Sequence, residues 1–387
     1  MTAVTPRASL GTVLAQWGRI GCIGFGGPPA HIALLRKLCV DDRGWLDARE
    51  FEDAVAACNL LPGPSSTQLA IYCAWRVRGR AGAVIGGAAF IVPGLIAILA
   101  LAALFLGDPP TWVRAAGAGA GAAVAAIALQ AGWSLMPPGW QRAPQQSSRV
   151  RWSAYLLAGA VAAATVGPWL VLLLIACGVA EVLFQRPSPP PRRPAGALPL
   201  LAVAGAGTGV LAALSWTALK VGALSYGGGF VIIPLMQADA VEHHGWMTAA
   251  EFLNAVALGQ ITPGPVVHTV AVVGYAAAGL VGGLLAAAVA FSPSFAFILL
   301  GADRFDQLRG NRYVRAFLDG AGPAAIGAIL GSAVPLTLAL ATTWQYLVLA
   351  GAAVLTLALR RGPVLTLLTA ATAGVTLVLL AGAPLPH

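Results

Sequence analysis

The chain has 387 residues, 58% of them hydrophobic and only 10% charged, with a mean hydropathy of +0.80 and a formal net charge of +9. A water-soluble domain carries about a quarter of its residues as Asp, Glu, Lys or Arg, so a soluble core is excluded and lipid is the solvent for most of this chain. The positive charge does not point to nucleic acid, because the basic residues lie between apolar segments and have no base-stacking aromatics among them.

In chain order, the amino terminus lacks the basic stretch, short apolar core and small-residue cleavage site of a removable signal, so the first long helix is expected to stay and direct insertion. Five apolar segments follow, A (10–38), B (51–75), C (81–106), D (111–136) and E (152–184), most of them reaching the roughly 20 residues that a spanning helix needs. Segment A holds Arg19 and the motif Phe25-Gly26-Gly27-Pro28. Segment B is cut by Pro62-Gly63-Pro64 into two stretches, each about half a bilayer long at the helical rise. Segment E is interrupted at Gly167-Pro168. The Pro- and Arg-rich run from Gln185 to Gly196 cannot be helical and predicts an extended linker outside the bilayer.

Beyond the linker the order repeats. Residues 21–72 align without a gap on 222–273, with 18 of 52 positions identical. The anchors are GFGGP (Gly24 to Pro28) against SYGGG (Ser225 to Gly229), GWLDAREF against GWMTAAEF, and NLLPGP (Asn59 to Pro64) against QITPGP (Gln260 to Pro265). The domains are therefore a first repeat, 1–184, a cytoplasmic linker, 185–199, and a second repeat, 200–387. The expected architecture is all-α and polytopic, with two inverted-topology repeats, about ten transmembrane helices and two re-entrant helical hairpins.

Charge supplies the orientation. The first-half loops before and after B carry Arg36, Lys37, Arg43 and Arg49, then Arg76, Arg78 and Arg80, whereas the equivalent second-half loops carry no Lys or Arg. The reverse holds at the C-D turn, where the second half has Arg304, Arg309, Arg312 and Arg315. Cytoplasmic loops concentrate basic residues, so the halves should face opposite ways. Basic loops at both ends of B further predict that B dips in and returns. Counting A, C, D and two E helices gives five crossings per half, an odd number that inverts a tandem copy.

Broken helices at the midplane are how many secondary transporters present half-helix ends to a substrate, and non-helical backbone survives there only when protein or a water-filled cavity surrounds it. The two Pro-Gly-Pro turns are therefore expected to converge. The first is flanked by Asn59, Pro62, Gly63 and Pro64 and opens a half-helix at Ser65, Ser66, Thr67 and Gln68, whose free N–H groups and positive dipole end suit an anion. The second, with Gln260, Thr262, Pro263, Gly264 and Pro265, leads into Val266-Val267-His268-Thr269 and offers fewer hydroxyls and one imidazole.

Phe25, Gly26 and Gly27, with Tyr226, Gly227 and Gly228, mark either a second unwound point open to an anion or a place of close helix packing. Arg19 and Lys220 hold matched places in segment A, and either flank a divalent anion or snorkel beside Trp17 and Trp216. Asp47-x-x-Glu50 and Thr248-x-x-Glu251 read as helix caps. His31 and His268 are candidates for a coupling proton or for plain packing. The five cysteines (Cys22, Cys39, Cys58, Cys73, Cys177) are scattered and have neither disulfide nor metal spacing, so neither a metal nor an organic cofactor is expected. No nucleophile with its base is evident, which argues against an enzyme. An anion channel would share the same site chemistry, and flux that cannot be driven uphill would identify it.

FGGPPAHIALL (Phe25 to Leu35), LPGPSSTQLAIY (Leu61 to Tyr72), YGGGFVIIPL (Tyr226 to Leu235) and ALGQITPGPV (Ala257 to Val266) resemble the chromate ion transporter family in its long, two-domain form. The resemblance spans the chain, with Tyr226 standing where a Phe is expected. It implies chromate export across a bacterial inner membrane, with sulfate as a competing oxyanion. The implied partners are a small oxyanion and the bilayer; a homodimer stays open, since one sequence carries no signal of it.

Overall fold

The computed structural model describes residues 8–58, 61, 63–107, 109–141, 145–165, 170–186, 209–225, 232–301 and 311–385. All regular structure among these residues is helical. Four helices are long and apolar enough to cross a membrane, Ser65–Leu106, Thr111–Gln141, Val266–Gly301 and Arg312–Leu338, and shorter apolar helices accompany them. Leucines such as Leu183, Leu347 and Leu380 stand on the outside, as lipid contact requires.

Helix α1 (Leu10–Ile23) stops at Gly24, and after the unwound Gly24 to Gly27 the chain restarts as α2 (Pro28–Arg36), with proline in the first turn where no N–H is needed. A π-turned stretch, Lys37–Asp42, prolongs α2. Trp45, just past that stretch, stacks on Trp17 in mid-α1 with ring centroids 6.1 Å apart. The chain therefore comes back beside α1. Segment A, counted from the sequence as one crossing, is two half-length helices separated by the unwound Gly24 to Gly27.

Helix α3 (Ala48–Cys58) leads to the first Pro-Gly-Pro turn, and α4 (Ser65–Leu106) leaves it. At Arg78 and Gly79 (φ 65°, ψ −156°) α4 folds sharply, laying Gly82 and Gly86 against Ala74. Residues 65–77 thus form a short arm and 80–106 a long one, the latter about 40 Å at the helical rise. Arg76, at the outer end of the short arm, pairs with Glu50 at the start of α3. That ion pair brings the two ends of B side by side.

Helices α5 (Thr111–Gln141), α6 (Gln146–Thr165) and α7 (Leu170–Gln185) complete the first half. Arg151 near the start of α6 forks onto Glu181 near the end of α7, with both contacts at 2.8 Å, so these two helices are antiparallel. Gly167-Pro168, the linker 187–199 and Arg304 to Arg309 lie outside the described residues.

The second half starts with α8 (Val210–Leu224) and α9 (Ile232–Gln237), the latter continued by the π-turned Ala238–His243. Then come α10 (Ala249–Ile261), a single 3-10 turn (Val266–His268) and α11 (Thr269–Gly301). The cap expected at Thr248 is complete, since its hydroxyl accepts from Glu251 N–H and the Glu251 carboxylate accepts from Thr248 N–H. Helix α11 folds at Ala278 and Gly279 (φ 62°, ψ −154°), repeating the fold-back of α4. Its long arm meets that of α4 head to tail, with Gly87 against Phe295 near one end and Gly283 against Leu99 near the other. Helices α12 (Arg312–Leu338), α13 (Thr343–Ala353) and α14 (Pro363–Leu379) follow. Small residues set the spacing here: Gly159, Gly327 and Gly331 put the backbones of α6 and α12 in contact, the dense packing that replaces a hydrophobic driving force in lipid.

Candidate functional site

Each Pro-Gly-Pro turn is roofed by the other half. A side chain on Gly63 would stand 3.2 Å from the Gly222 carbonyl at the end of α8 and 3.4 Å from Ser294 Oγ on the long arm of α11. The second turn mirrors this. Gly264 N–H donates to the Gly24 carbonyl at the end of α1 (3.0 Å), and Pro263 lies on Gly94 of the long arm of α4. Gly63 (φ 113°) and Gly264 (φ 96°) both occupy left-handed backbone that costs other residues strain, which accounts for glycine between the two prolines.

The Gly24 carbonyl, freed where α1 ends, also accepts from His31 Nε2–H (2.9 Å), so the neutral ring leaves Nδ1 as acceptor for the Ser66 hydroxyl (3.2 Å). His31 therefore joins the glycine break of segment A to the first half-helix, while Gly24 joins it to the second turn. Both histidines pack edge-on to phenylalanines of the long arms, His31 on Phe90 (5.0 Å) and His268 on Phe291 (5.2 Å). The Ile91 carbonyl lies beside the His268 ring without reaching hydrogen-bond geometry.

The centre is closed to solvent. Ser66, Thr67, Gln68, His31, His268 and Thr269 are at most 2% exposed, and Ser65, Gln260 and Thr262 are also buried. At the start of the arm 65–77 the Thr67 and Gln68 N–H groups both donate to the Pro64 carbonyl, at 3.0 Å. Thr67 Oγ1, Gln260 Nε2, Ser225 Oγ and Ser294 Oγ are buried without a hydrogen-bond partner among the described residues. Such groups cost stability unless something else, such as a substrate or water, meets them.

The structure does not gather every expected residue here. Arg19 is exposed on the outer face of α1, opposite the buried Val13, Trp17 and Ile20. Lys220 is bound to buried Asp239 at 2.5 Å, an oxygen that Thr217 also contacts at 2.8 Å. The two matched cations therefore differ in setting, one exposed and one paired, and the described residues around the turns supply hydroxyls, amides, imidazoles and helix ends. Phe25 and Gly26 are exposed and Gly27 half-buried at the lip of the break. Asn59, Pro62, Tyr226, Gly227 and Gly228 lie outside the described residues. Sequence reasoning missed Ser294, one of the two serines that flank Pro293, and it missed Asp239 as the partner of Lys220.

With this geometry in view, comparison with known proteins decides the family. The model described as chromate transporter matches residues 11–182 and 212–375. The chain belongs to the chromate transporter family. It is 32% identical over 342 residues to the chromate transport protein of Cupriavidus metallidurans, covering 86% of this chain and 83% of that one. It is 30% identical to the chromate transport protein of Pseudomonas aeruginosa (84% and 81% covered) and 30% identical to a probable chromate transport protein of Synechococcus elongatus (86% and 86%). No solved structure matches. Membership in this family of transport proteins, together with the apolar helices, makes the chain a multi-pass membrane protein and supports chromate transport.

Proposed function

We propose that this protein is a secondary transporter that exports chromate across the bacterial inner membrane, with sulfate-like oxyanions as competitors, through two inverted halves that move around a shared central site. The observation that carries this reading is the mutual roofing of the turns, in which Gly63 lies under Gly222 and Ser294 while Gly264 is bonded to Gly24. A centre made jointly by both halves changes its exposure whenever one half rocks against the other, which is the requirement for alternating access. The head-to-tail contact of the two long arms and the paired family matches support the inverted arrangement. Burial of Ser66, Thr67 and His268 to 2% exposure or less favours a carrier over an open channel.

The site binds its anion with helix-end N–H groups, hydroxyls and amides, which are directional and leave no fixed cation to trap the substrate. Export of a dianion from a cell negative inside is aided by about 2.3 kcal/mol per charge per 100 mV. The test is chromate uptake into everted membrane vesicles, with and without an imposed potential and with excess sulfate. Accumulation above the external concentration supports the carrier, whereas flux that only equilibrates identifies a channel.

A further inference from the structure

The two turns share a backbone but not their chemistry. Pro93 and Pro293 lie 14 residues beyond the fold-back glycines Gly79 and Gly279, so Gly94 and Ser294 are equivalent positions on the two long arms. At the second turn the space is filled: a Cβ on Gly94 would collide with the Pro263 carbonyl and stand 2.8 Å from His268 Cε1. At the first turn the facing position carries Ser294, and His268 is replaced by its repeat mate Thr67.

Hydroxyls in apolar helices normally turn back to a carbonyl three or four residues earlier. Those of the second turn do so, Thr262 to Leu258 and Thr269 to Val266, both at 2.8 Å. Ser292, two residues from Ser294 on the same arm, also does so, at 2.7 Å to Val289. Thr67 and Ser294 do not. Both are 0% exposed, and neither hydroxyl has a partner among the described residues.

Building on the transport reading, we propose that the centre contains one oxyanion seat rather than two, at the first turn, where the Thr67 and Ser294 hydroxyls donate to a tetrahedral oxyanion at the N-terminal end of the arm 65–77. Ser294 reaches this seat from the opposite half. The second turn is its occupied twin, with His268 as the plug. A substrate held by one side chain from each half couples its binding to the relative position of the halves.

The seat is tested with the full chain in everted vesicles, by chromate uptake kinetics for the wild type, Ser294→Ala, Thr67→Val and Thr67→Ser. Loss of one hydrogen bond to a charged ligand predicts a KM raised about tenfold or more for Ser294→Ala and Thr67→Val, with maximal rate held within about twofold. Thr67→Ser, which keeps the hydroxyl, retains the wild-type KM. Detergent-purified protein adds an independent readout: chromate raises the Tm of the wild type and of Thr67→Ser, and does so far less for the other two. A structural role for the hydroxyls would instead lower the substrate-free Tm and leave KM unchanged. Wild-type KM in both Ser294→Ala and Thr67→Val, or a Thr67→Ser variant as weak as Thr67→Val, overturns the seat. A wild type without chromate uptake or chromate-induced stabilisation removes the transport reading and the seat with it. Should Ser294→Ala fail to accumulate, the Thr67 pair decides.

Discussion

The two Pro-Gly-Pro turns have the same bend, with left-handed glycines at φ 113° and 96°, yet one is lined by Ser-Ser-Thr-Gln and faces Ser294 while the other leads into Val-Val-His-Thr and faces Gly94. The difference separates what the backbone demands from what the ligand demands. Breaking a helix inside a bilayer needs the same proline and glycine in either half, because the freed peptide groups must be met in the same way. Only one of the two breaks keeps hydroxyls unspent, so the repeat is preserved as architecture and relaxed as chemistry.

The largest effect should come from attacking what the turns share. Gly63→Ala and Gly264→Ala each force a side chain into strained backbone, at about 1–3 kcal/mol, and place it within 3.0 Å of Gln68 or His268. Both variants are expected to abolish chromate uptake, as measured in vesicles at matched protein levels; an active Gly264→Ala would show that the second turn is free to relax. Next is the facing position: Gly94→Ser should be lost from the membrane or inactive, because its side chain meets the Pro263 carbonyl, whereas Ser294→Gly should accumulate normally. Equal accumulation of the two would erase the distinction between plug and seat.

A third expectation concerns the cations near α1 and α8. Lys220→Gln leaves Asp239 buried without its partner and should cost roughly 3 kcal/mol, seen as a lower Tm that Asp239→Asn restores. The matched Arg19→Gln, on an exposed face, should leave chromate uptake and Tm at wild-type values. The smallest effect belongs to the mouth of the first hairpin, where Arg76 and Glu50 are partly exposed. A double-mutant cycle on that pair should give a coupling of about 1 kcal/mol or less.

Much of this was legible in residue order. The closeness of the two ends of B followed from Pro62-Gly63-Pro64 together with basic residues at both of those ends, and the ion pair of Glu50 with Arg76 joins them. The break in segment A was not legible, because Gly26-Gly27 within apolar sequence reads equally as close packing or as a break. Arg19 and Lys220 looked equivalent because matched positions carry no record of side-chain partners; the partner of Lys220 is 19 residues away in sequence. Ser294 was passed over because sequence does not record whether a serine hydroxyl bonds back to its own helix, as that of Ser292 does and that of Ser294 does not.

The carbonyl of Gly24 accepts at once from Gly264 of the far half and from His31 of its own. A single oxygen so shared acts as a rivet: pulling Gly264 away strips it of one donor and leaves it wholly to the imidazole, which is itself tied to the hydroxyl of Ser66. If the halves rock as proposed, a swing of one bundle would reach the first half-helix through these hydrogen bonds. Neither half is a complete machine in miniature, since each lacks the lid that the other provides.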